Sequence, residues 1–182
     1  MCSRFSKGAG NVKLDEVSVQ EHKRQARTNL KMGVLTSSDT RTPDNDTSGN
    51  LIAQMLETAG HRVAMRAIVP DDADRIASAI VENLATLDAI IVTGGTGVAP
   101  RDRTADVVKK LLDIELPGFG ELFRMLSYNE IGSAAFASRA IAGMRQGKFI
   151  VALPGSTGGC KLAMEKLILP EIGHLISIAS PQ

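Results

Sequence analysis

The sequence predicts an α/β fold, a three-layer α/β/α sandwich with a mainly parallel sheet. Short apolar runs alternate with amphipathic segments, as expected when each strand is followed by a helix that returns to the next parallel strand. The run at residues 89–93 is apolar throughout, which is typical of a central strand covered on both faces. The 182 residues suffice for one domain with a sizeable core, and no repeat or linker interrupts the chain after residue 30.

Residues 1–29 are interpreted as a polar N-terminal arm and residues 30–182 as the α/β domain. The first 31 residues hold seven Lys or Arg and three acidic residues, whereas the whole chain has a net charge of only +1. The arm either contacts phosphates or is a solvated or partner-docking tail, and the second interpretation is favoured. Within the arm, residues 18–28 are compatible with a short helix.

The first strand and the first helix are predicted at residues 31–36 and 48–59. The strand is an apolar run that ends in a polar cluster at residues 37–40. The helix has apolar residues at i, i+4 spacing on one face, and Gly60 follows it as a stop signal. A second strand is predicted at residues 62–69, where apolar residues occupy every other position.

The second helix is predicted to begin after Asp71 or Asp72, since either carboxylate can accept hydrogen bonds from the first amides of a helix. Its apolar face consists of Ile76, Ala77, Ile80, Val81 and Leu84. The central strand at residues 89–93 comes next, then a glycine-rich loop at residues 94–103 and a helix at residues 104–112.

Helices are predicted at residues 119–128 and 133–142 in the last third of the chain. A strand at residues 148–153 follows them, and Pro154 and Gly155 end it. The last helix is predicted to start near Gly159. Pro170 is expected to kink or restart this helix because proline has no backbone N–H.

Composition argues against several classes of protein. The net charge of +1 and the 3% aromatic content give no field or stacking platform for nucleic acid. Two cysteines and three scattered histidines do not form a zinc motif. No apolar leader or membrane-length apolar run is visible, so no membrane association and a cytoplasmic location are expected.

Three polar or glycine-rich loops follow strands of the predicted sheet, at residues 37–49, 93–104 and 154–159. Ligands bind at the carboxyl ends of the strands in open parallel sheets, so these loops predict a ligand site. The second loop lacks the lysine of a P-loop and the third glycine of a Rossmann fingerprint. Taken alone, it is as compatible with a tight turn as with a phosphate cradle.

The residues after the glycines favour the phosphate cradle. Arg101 can pair with phosphate, Asp102 can hold Mg²⁺, and Thr104 can cap the following helix. For other residues, the sequence alone is compatible with either a chemical or a structural role. Asp46 is compatible with an N-cap, Cys160 with a packed and inert side chain, and the Ser138–Arg139 pair with either a phosphate contact or a helix surface.

Taken together, these motifs resemble the MoaB/MogA family of molybdenum cofactor biosynthesis. The resemblance covers about residues 32–176 and consists of Ser38-Asp39-Thr40-Arg41, Asp46-Thr47-Ser48-Gly49, Gly60-His61, Val69-Pro70-Asp71-Asp72, Thr93-Gly94-Gly95-Thr96-Gly97-Val98-Ala99-Pro100-Arg101-Asp102, Pro117-Gly118-Phe119-Gly120-Glu121, Ser138-Arg139 and Leu153-Pro154-Gly155-Ser156. The segments at residues 123–128 and 169–171 are more similar to the MoaB branch.

The resemblance implies a molybdopterin-binding domain that adenylylates molybdopterin with Mg-ATP and releases pyrophosphate. It implies two catalytic, Mg²⁺-binding aspartates, Asp46 and Asp102, and substrate contacts at Ser138 and Arg139. The implied nucleotide or phosphate contacts are Ser38, Asp39, Thr93, Gly94, Gly95, Thr96, Gly97, Arg101, Pro154, Gly155 and Ser156. Thr157 departs from the proline that often follows this last motif.

The implied partners are molybdopterin, ATP, further copies of the chain in a trimer or hexamer, and other molybdenum cofactor biosynthesis proteins. Joining two phosphates requires charge neutralisation and alignment rather than a side-chain nucleophile, and the sequence shows no Ser-His or Cys-His constellation. The alternatives are a non-catalytic molybdopterin-binding or scaffold protein of the MoaB branch and another nucleotide enzyme on the same fold.

Overall fold

A computed structural model describes residues 27–179. The predicted arm and its short helix lie outside the described residues, apart from the arm's last three positions. The strands are β1 (Lys31–Ser37), β2 (Arg62–Val69), β3 (Ala89–Thr93), β4 (Ile114–Glu115), β5 (Ile141–Arg145) and β6 (Lys148–Leu153). The helices are α1 (Thr47–Thr58), α2 (Ala73–Leu84), α3 (Thr104–Leu111), α4 (Pro117–Ile131), α5 (Thr157–Ala163) and α6 (Leu169–Ala179).

One six-stranded sheet has the order β2-β1-β3-β6-β5-β4. The first four of these strands pair in parallel, whereas β5 and β4 add an antiparallel edge. The alternating apolar residues of β3 point into two separate cores. Ala89 and Ile91 pack with α1, α4, α5 and α6, and Ile90 and Val92 pack with α2 and α3. The predicted three-layer sandwich with a mainly parallel sheet is therefore confirmed.

The start of α2 and the end of α1 are each marked by a residue that the sequence predicts for this role. Asp72, rather than Asp71, is the N-cap of α2, and its carboxylate accepts hydrogen bonds from the amides of Asp74 and Arg75. Gly60 follows α1 with a φ of 83°, a left-handed conformation that suits glycine.

The helix predicted at residues 133–142 is wrong. A short 3₁₀ helix, Gly132–Ala137, follows α4, and the chain then extends into β5. A two-residue turn, Gln146 and Gly147, joins β5 to β6, and both residues have positive φ (50° and 73°). Such turns match the twist of antiparallel strands. The extended strand β5 also packs closely at Gly143, where a Cβ would collide with the carbonyl oxygen of Ile114.

The last helix is interrupted just before Pro170, as expected, since α5 ends at Ala163 and α6 begins at Leu169. A π-helical turn, Met164–Ile168, joins α5 to α6, and the amide of Leu169 donates to the carbonyl of Met164, five residues earlier. The wider turn comes directly before Pro170, whose missing N–H removes the next helical hydrogen bond. Within residues 27–179, no helix is both long and apolar enough to cross a membrane.

Candidate functional site

Three helices begin at the same edge of the sheet. β1, β3 and β6 are adjacent parallel strands, and the loops after their carboxyl ends lead into α1, α3 and α5. The N-terminus of a helix has a partial positive charge and free amide donors. The fold therefore places three such ends where the three predicted ligand loops lie, and this edge suits an anion.

The glycine loop runs directly out of the buried strand β3. Gly94 and Gly95 have φ values of 97° and 64°. A Cβ on Gly94 would collide with the Ser37 carbonyl oxygen, and one on Gly95 with the Thr104 hydroxyl. Only glycine satisfies both constraints, so the loop presents backbone without side chains to a ligand.

Of the two cavities that the glycine loop lines, the larger has a volume of about 620 Å³. One end is formed by Gly95, Thr96, Gly97, Asp102, Pro154, Gly155, Ser156, Gly158 and Gly159. The other end has apolar walls from α4 and α5, with Phe123 and Leu162 among them. No lysine or arginine is among the described residues that line this cavity. An anion bound here would therefore meet backbone amides rather than basic side chains.

Asp102 lies at the end of the glycine loop with its side chain half-buried. One carboxylate oxygen accepts a hydrogen bond from the amide of Ala99 at 2.8 Å, and the Asp102 amide donates back to the Ala99 carbonyl at 2.9 Å. The neighbouring Arg101 is exposed and does not line the cavity. The phosphate contact implied for Arg101 stays a prediction.

A smaller polar cavity of about 220 Å³ lies on the other side of the glycine loop. Its described walls include Ser37, Ser38, Asp46, Thr93 and Gly94, and Gly155 lines both cavities. Asp39 lines a neighbouring groove that it shares with Ser38 and Asp46. Of the residues predicted for nucleotide binding, Ser38, Thr93 and Gly94 line the smaller cavity. Five others line the larger cavity together with Ser138, namely Gly95, Thr96, Gly97, Pro154 and Ser156. The two cavities are adjacent, with Gly155 and the glycine loop between them.

Asp46 is 3% exposed and is held by two protein donors. One carboxylate oxygen accepts from the Gly49 amide at 3.0 Å and thereby caps α1; the other accepts from the Thr36 hydroxyl at 2.7 Å. Asp46 lines the smaller cavity and Asp102 the larger one, so the two carboxylates do not share a cavity. Among residues 27–179, no group of three or more Cys, His, Asp or Glu could hold a metal ion. The implied Mg²⁺ site stays a prediction.

Ser138 and Arg139 are neighbours with different surroundings. Ser138 lines the larger cavity, as its implied role requires. Arg139 does not line it; its guanidinium donates to the carbonyl oxygens of Gly97 and Asp102 and contacts the carboxylate of Asp106. The substrate contact implied for Arg139 has no support in this arrangement.

The helix cap predicted for Thr104 is wrong. Arg103 occupies the N-cap position of α3 without a side-chain hydrogen bond, and Thr104 is the first helical residue. The Thr104 hydroxyl is buried next to Gly95 and is the one buried side-chain oxygen or nitrogen in the described part of the chain that lacks a partner.

Thr93 is also buried. Its hydroxyl donates to the Pro154 carbonyl at 2.8 Å, and this hydrogen bond connects β3 to the loop after β6.

Sequence reasoning missed the cavity wall on α4. Phe123, Ser127, Glu130 and Ile131 line the larger cavity from successive turns of this helix. Their spacing of three, four and seven residues places them on one helical face. This spacing can be seen in the sequence and predicts a shared helical face. Nothing in the sequence shows that the face lines a cavity.

Cys160 is expected to be chemically inert in the folded protein. It is completely buried, with its thiol 3.1 Å from the Pro154 carbonyl, and burial raises the pKa of the Cys160 thiol. Because the thiolate is the reactive form, we predict that iodoacetamide at pH 8 labels Cys160 only after unfolding. Mass spectrometry of a Cys2→Ser variant, with and without urea, measures this at a single thiol. Rapid labelling of the folded variant would contradict the prediction.

The fold and the two cavities define a class of protein, an α/β domain with a candidate ligand site at the carboxyl edge of a parallel sheet. A family model described as "Probable molybdopterin binding domain" matches residues 33–174. Molybdenum cofactor biosynthesis protein B of Halalkalibacterium halodurans is 49% identical over 163 residues, which cover 88% of this chain and 96% of that protein. The Bacillus subtilis protein of the same name is 48% identical over 163 residues, with the same coverage of both chains.

Solved structures agree with this match. A crystal structure of molybdenum cofactor biosynthesis protein B has a TM-score of 0.82 and 46% identity, covering 85% of this chain and 98% of that one. The tungsten cofactor synthesizing protein MoaB from Pyrococcus furiosus has a TM-score of 0.78 and 37% identity, covering 86% and 100%. This chain belongs to the MoaB/MogA family of molybdopterin-binding proteins, which confirms the resemblance read from the sequence. The names of its relatives support a role in molybdenum cofactor biosynthesis.

Proposed function

We propose that this chain binds molybdopterin and transfers AMP to it from Mg-ATP. An oxygen of the terminal molybdopterin phosphate attacks the α-phosphorus of ATP and forms a phosphoanhydride bond. The bond between the α- and β-phosphates breaks, and pyrophosphate leaves. The observation that supports this proposal most is the pair of adjacent cavities that meet at Gly155 and the glycine loop.

The larger cavity suits the pterin substrate. Its apolar walls can pack against a flat heterocycle, and its glycine-lined end can accept a phosphate. The smaller cavity is polar, with Ser37, Ser38 and Thr93 among its walls, and suits a nucleotide phosphate. Because Gly94, Gly95 and Gly155 have no side chains, two phosphates can approach each other across this boundary. Such an arrangement lowers the barrier mainly by alignment.

The second requirement for AMP transfer is neutralisation of negative charge, because the two reacting phosphates repel each other. The amides at the starts of α1, α3 and α5 supply partial positive charge. The larger cavity adds no basic side chain among its described walls, whereas Arg41 lines the smaller one. Asp102 and Asp46 are the residues that would hold Mg²⁺, which neutralises phosphate charge when bound. Asp102 fits this role because its second carboxylate oxygen has no protein donor among the described contacts. Asp46 fits less well because both of its oxygens already accept hydrogen bonds.

The test is direct. Purified protein is mixed with molybdopterin and Mg-ATP, and the pterin products are separated by chromatography and weighed by mass spectrometry. We expect the mass of adenylylated molybdopterin, which must not form when ATP is replaced by its α,β-methylene analogue. Molybdopterin binding without this product would contradict the transferase and favour the non-catalytic binding protein. The hydrogen bonds that already engage Asp46 are the observation that favours this second candidate.

The chain has an exposed apolar surface on α4 that could form the subunit interface of the proposed trimer or hexamer. We expect part of the stretch at residues 119–128 to be buried between subunits. Within this stretch, Phe123 belongs to the core of its own chain. Leu122, Met125, Tyr128 and Ile131 are exposed along α4, and Phe136 beside them is 82% exposed. Contiguous apolar surface of this kind is typical of protein interfaces.

We predict that Met125→Glu and Tyr128→Glu shift the protein toward monomers, because association would bury an unpaired charge. Sedimentation velocity at micromolar concentration measures the change. Ile178→Glu is the matched control, since Ile178 is an exposed apolar residue on α6, outside this surface. A wild-type protein that sediments only as a monomer would contradict the prediction.

A further inference from the structure

One arginine spans the two ends of the loop that contains Asp102. The Nε of Arg139 donates to the Gly97 carbonyl at 2.8 Å, and an Nη donates to the Asp102 carbonyl at 2.6 Å. The Arg139 amide also donates to the Thr96 carbonyl at 2.9 Å. Arg139, two residues before β5, is thus attached to the loop by both its backbone and its side chain.

The rest of the guanidinium is fixed by α3. The other Nη lies 3.0 Å from both carboxylate oxygens of Asp106, in the first turn of that helix. An exposed ion pair of this kind adds little stability by itself. The ion pair has a larger effect on geometry, because it fixes the plane of the Arg139 guanidinium. The other N–H groups of this guanidinium donate to the carbonyl oxygens of Gly97 and Asp102. Lysine has one nitrogen and cannot make these contacts together.

The loop itself has little else to hold it. Between its ends, the hydrogen bonds seen among the described residues are the two that join Ala99 and Asp102 to each other. Val98 at the tip is 76% exposed and Arg101 is exposed. The position of the Asp102 carboxylate relative to the larger cavity therefore depends strongly on the Arg139 contacts.

We propose that Arg139 is a positioning residue, which holds the loop of residues 97–102 so that Asp102 faces the larger cavity, and that Asp106 orients Arg139. For its effect on AMP transfer, this inference rests on the proposed function. It differs from the substrate contact implied by the family resemblance: Arg139 acts on the loop through two carbonyl oxygens and does not touch the substrate.

The test compares Arg139→Lys and Asp106→Asn with a matched control, Arg145→Lys. Arg145 also donates to a backbone carbonyl of α3, that of Leu111, at the other end of the helix. The first readout is hydrogen exchange at the amides of residues 97–103 in the ligand-free protein. We expect faster exchange there in Arg139→Lys, a smaller increase in Asp106→Asn, and no change in Arg145→Lys, with thermal unfolding close to wild type in all three.

The second readout separates positioning from substrate contact. We expect Arg139→Lys to lower kcat by about 10- to 100-fold with the KM for molybdopterin nearly unchanged, since small misplacements of catalytic groups have effects of this size. Unchanged exchange at residues 97–103 would overturn the inference, as would weaker molybdopterin binding at an unchanged kcat. If the wild-type protein transfers no AMP, the proposed function fails, and the exchange experiment alone decides whether Arg139 holds the loop.

Discussion

Replacement of Asp102 by asparagine is expected to slow AMP transfer by about 100-fold or more, on the order of 3 kcal/mol of transition-state stabilisation. Asparagine keeps the shape of the side chain and can accept the same hydrogen bond from the Ala99 amide, so the loop is preserved. The variant lacks the negative charge that would hold Mg²⁺ in a cavity with no basic side chain among its described walls. Molybdopterin binding is expected to persist because the apolar walls and glycine amides are intact.

The measurement is the single-turnover rate of adenylylated product, with molybdopterin binding measured separately by fluorescence. Asp74→Asn is the matched control, since Asp74 is an exposed aspartate in the first turn of α2, outside both cavities. It should transfer AMP at the wild-type rate. If Asp102→Asn also does so, Asp102 is a loop residue without a catalytic role.

Removal of the Asp46 side chain is expected to have the largest effect on stability. Asp46→Ala removes the cap of α1 and leaves the buried Thr36 hydroxyl without its partner. A lost cap costs about 1 kcal/mol and an unsatisfied buried hydroxyl about 1–3 kcal/mol, so we expect a loss of about 3 kcal/mol in the free energy of unfolding. Asp46→Asn should lose much less, because asparagine caps helices well and its amide can donate to the Thr36 hydroxyl.

Urea unfolding of both variants measures this difference, and Asp72→Ala is the control for a lost cap on an exposed helix end. Equal stability of the alanine and asparagine variants would contradict the structural role of Asp46. The asparagine variant also tests its catalytic role. A large loss of AMP transfer in a protein of near wild-type stability would assign the effect to the charge, whereas full transfer would leave Asp46 as a cap alone.

The central part of the fold could be predicted because its signals are local. β3 is apolar throughout because both of its faces are covered, and α2 shows the 3.6-residue period together with its Asp72 cap. The three ligand loops could be placed at one edge because parallel strands have the same direction. Asp46 and Asp102 follow β1 and β3, which pair with each other, yet their carboxylates line different cavities.

The parts that could not be predicted depend on contacts between distant segments. β5 contains Ala142 and Gly143, whose small size reflects close packing against β4 rather than helix propensity. The side-chain contacts of Arg139 join positions 33 to 42 residues apart, and no local pattern shows them. The separation of the two carboxylates into different cavities is likewise a tertiary property, because it depends on where the glycine loop and Gly155 lie between them.

The central claim is that the two adjacent cavities bring a pterin phosphate and a nucleotide phosphate together for transfer. The most direct measurement is a single turnover with enzyme in excess over molybdopterin and with saturating Mg-ATP, in which released pyrophosphate is counted per pterin. The account predicts one pyrophosphate for each adenylylated pterin and none when molybdopterin is omitted. Full binding of molybdopterin with no pterin-dependent pyrophosphate would contradict it.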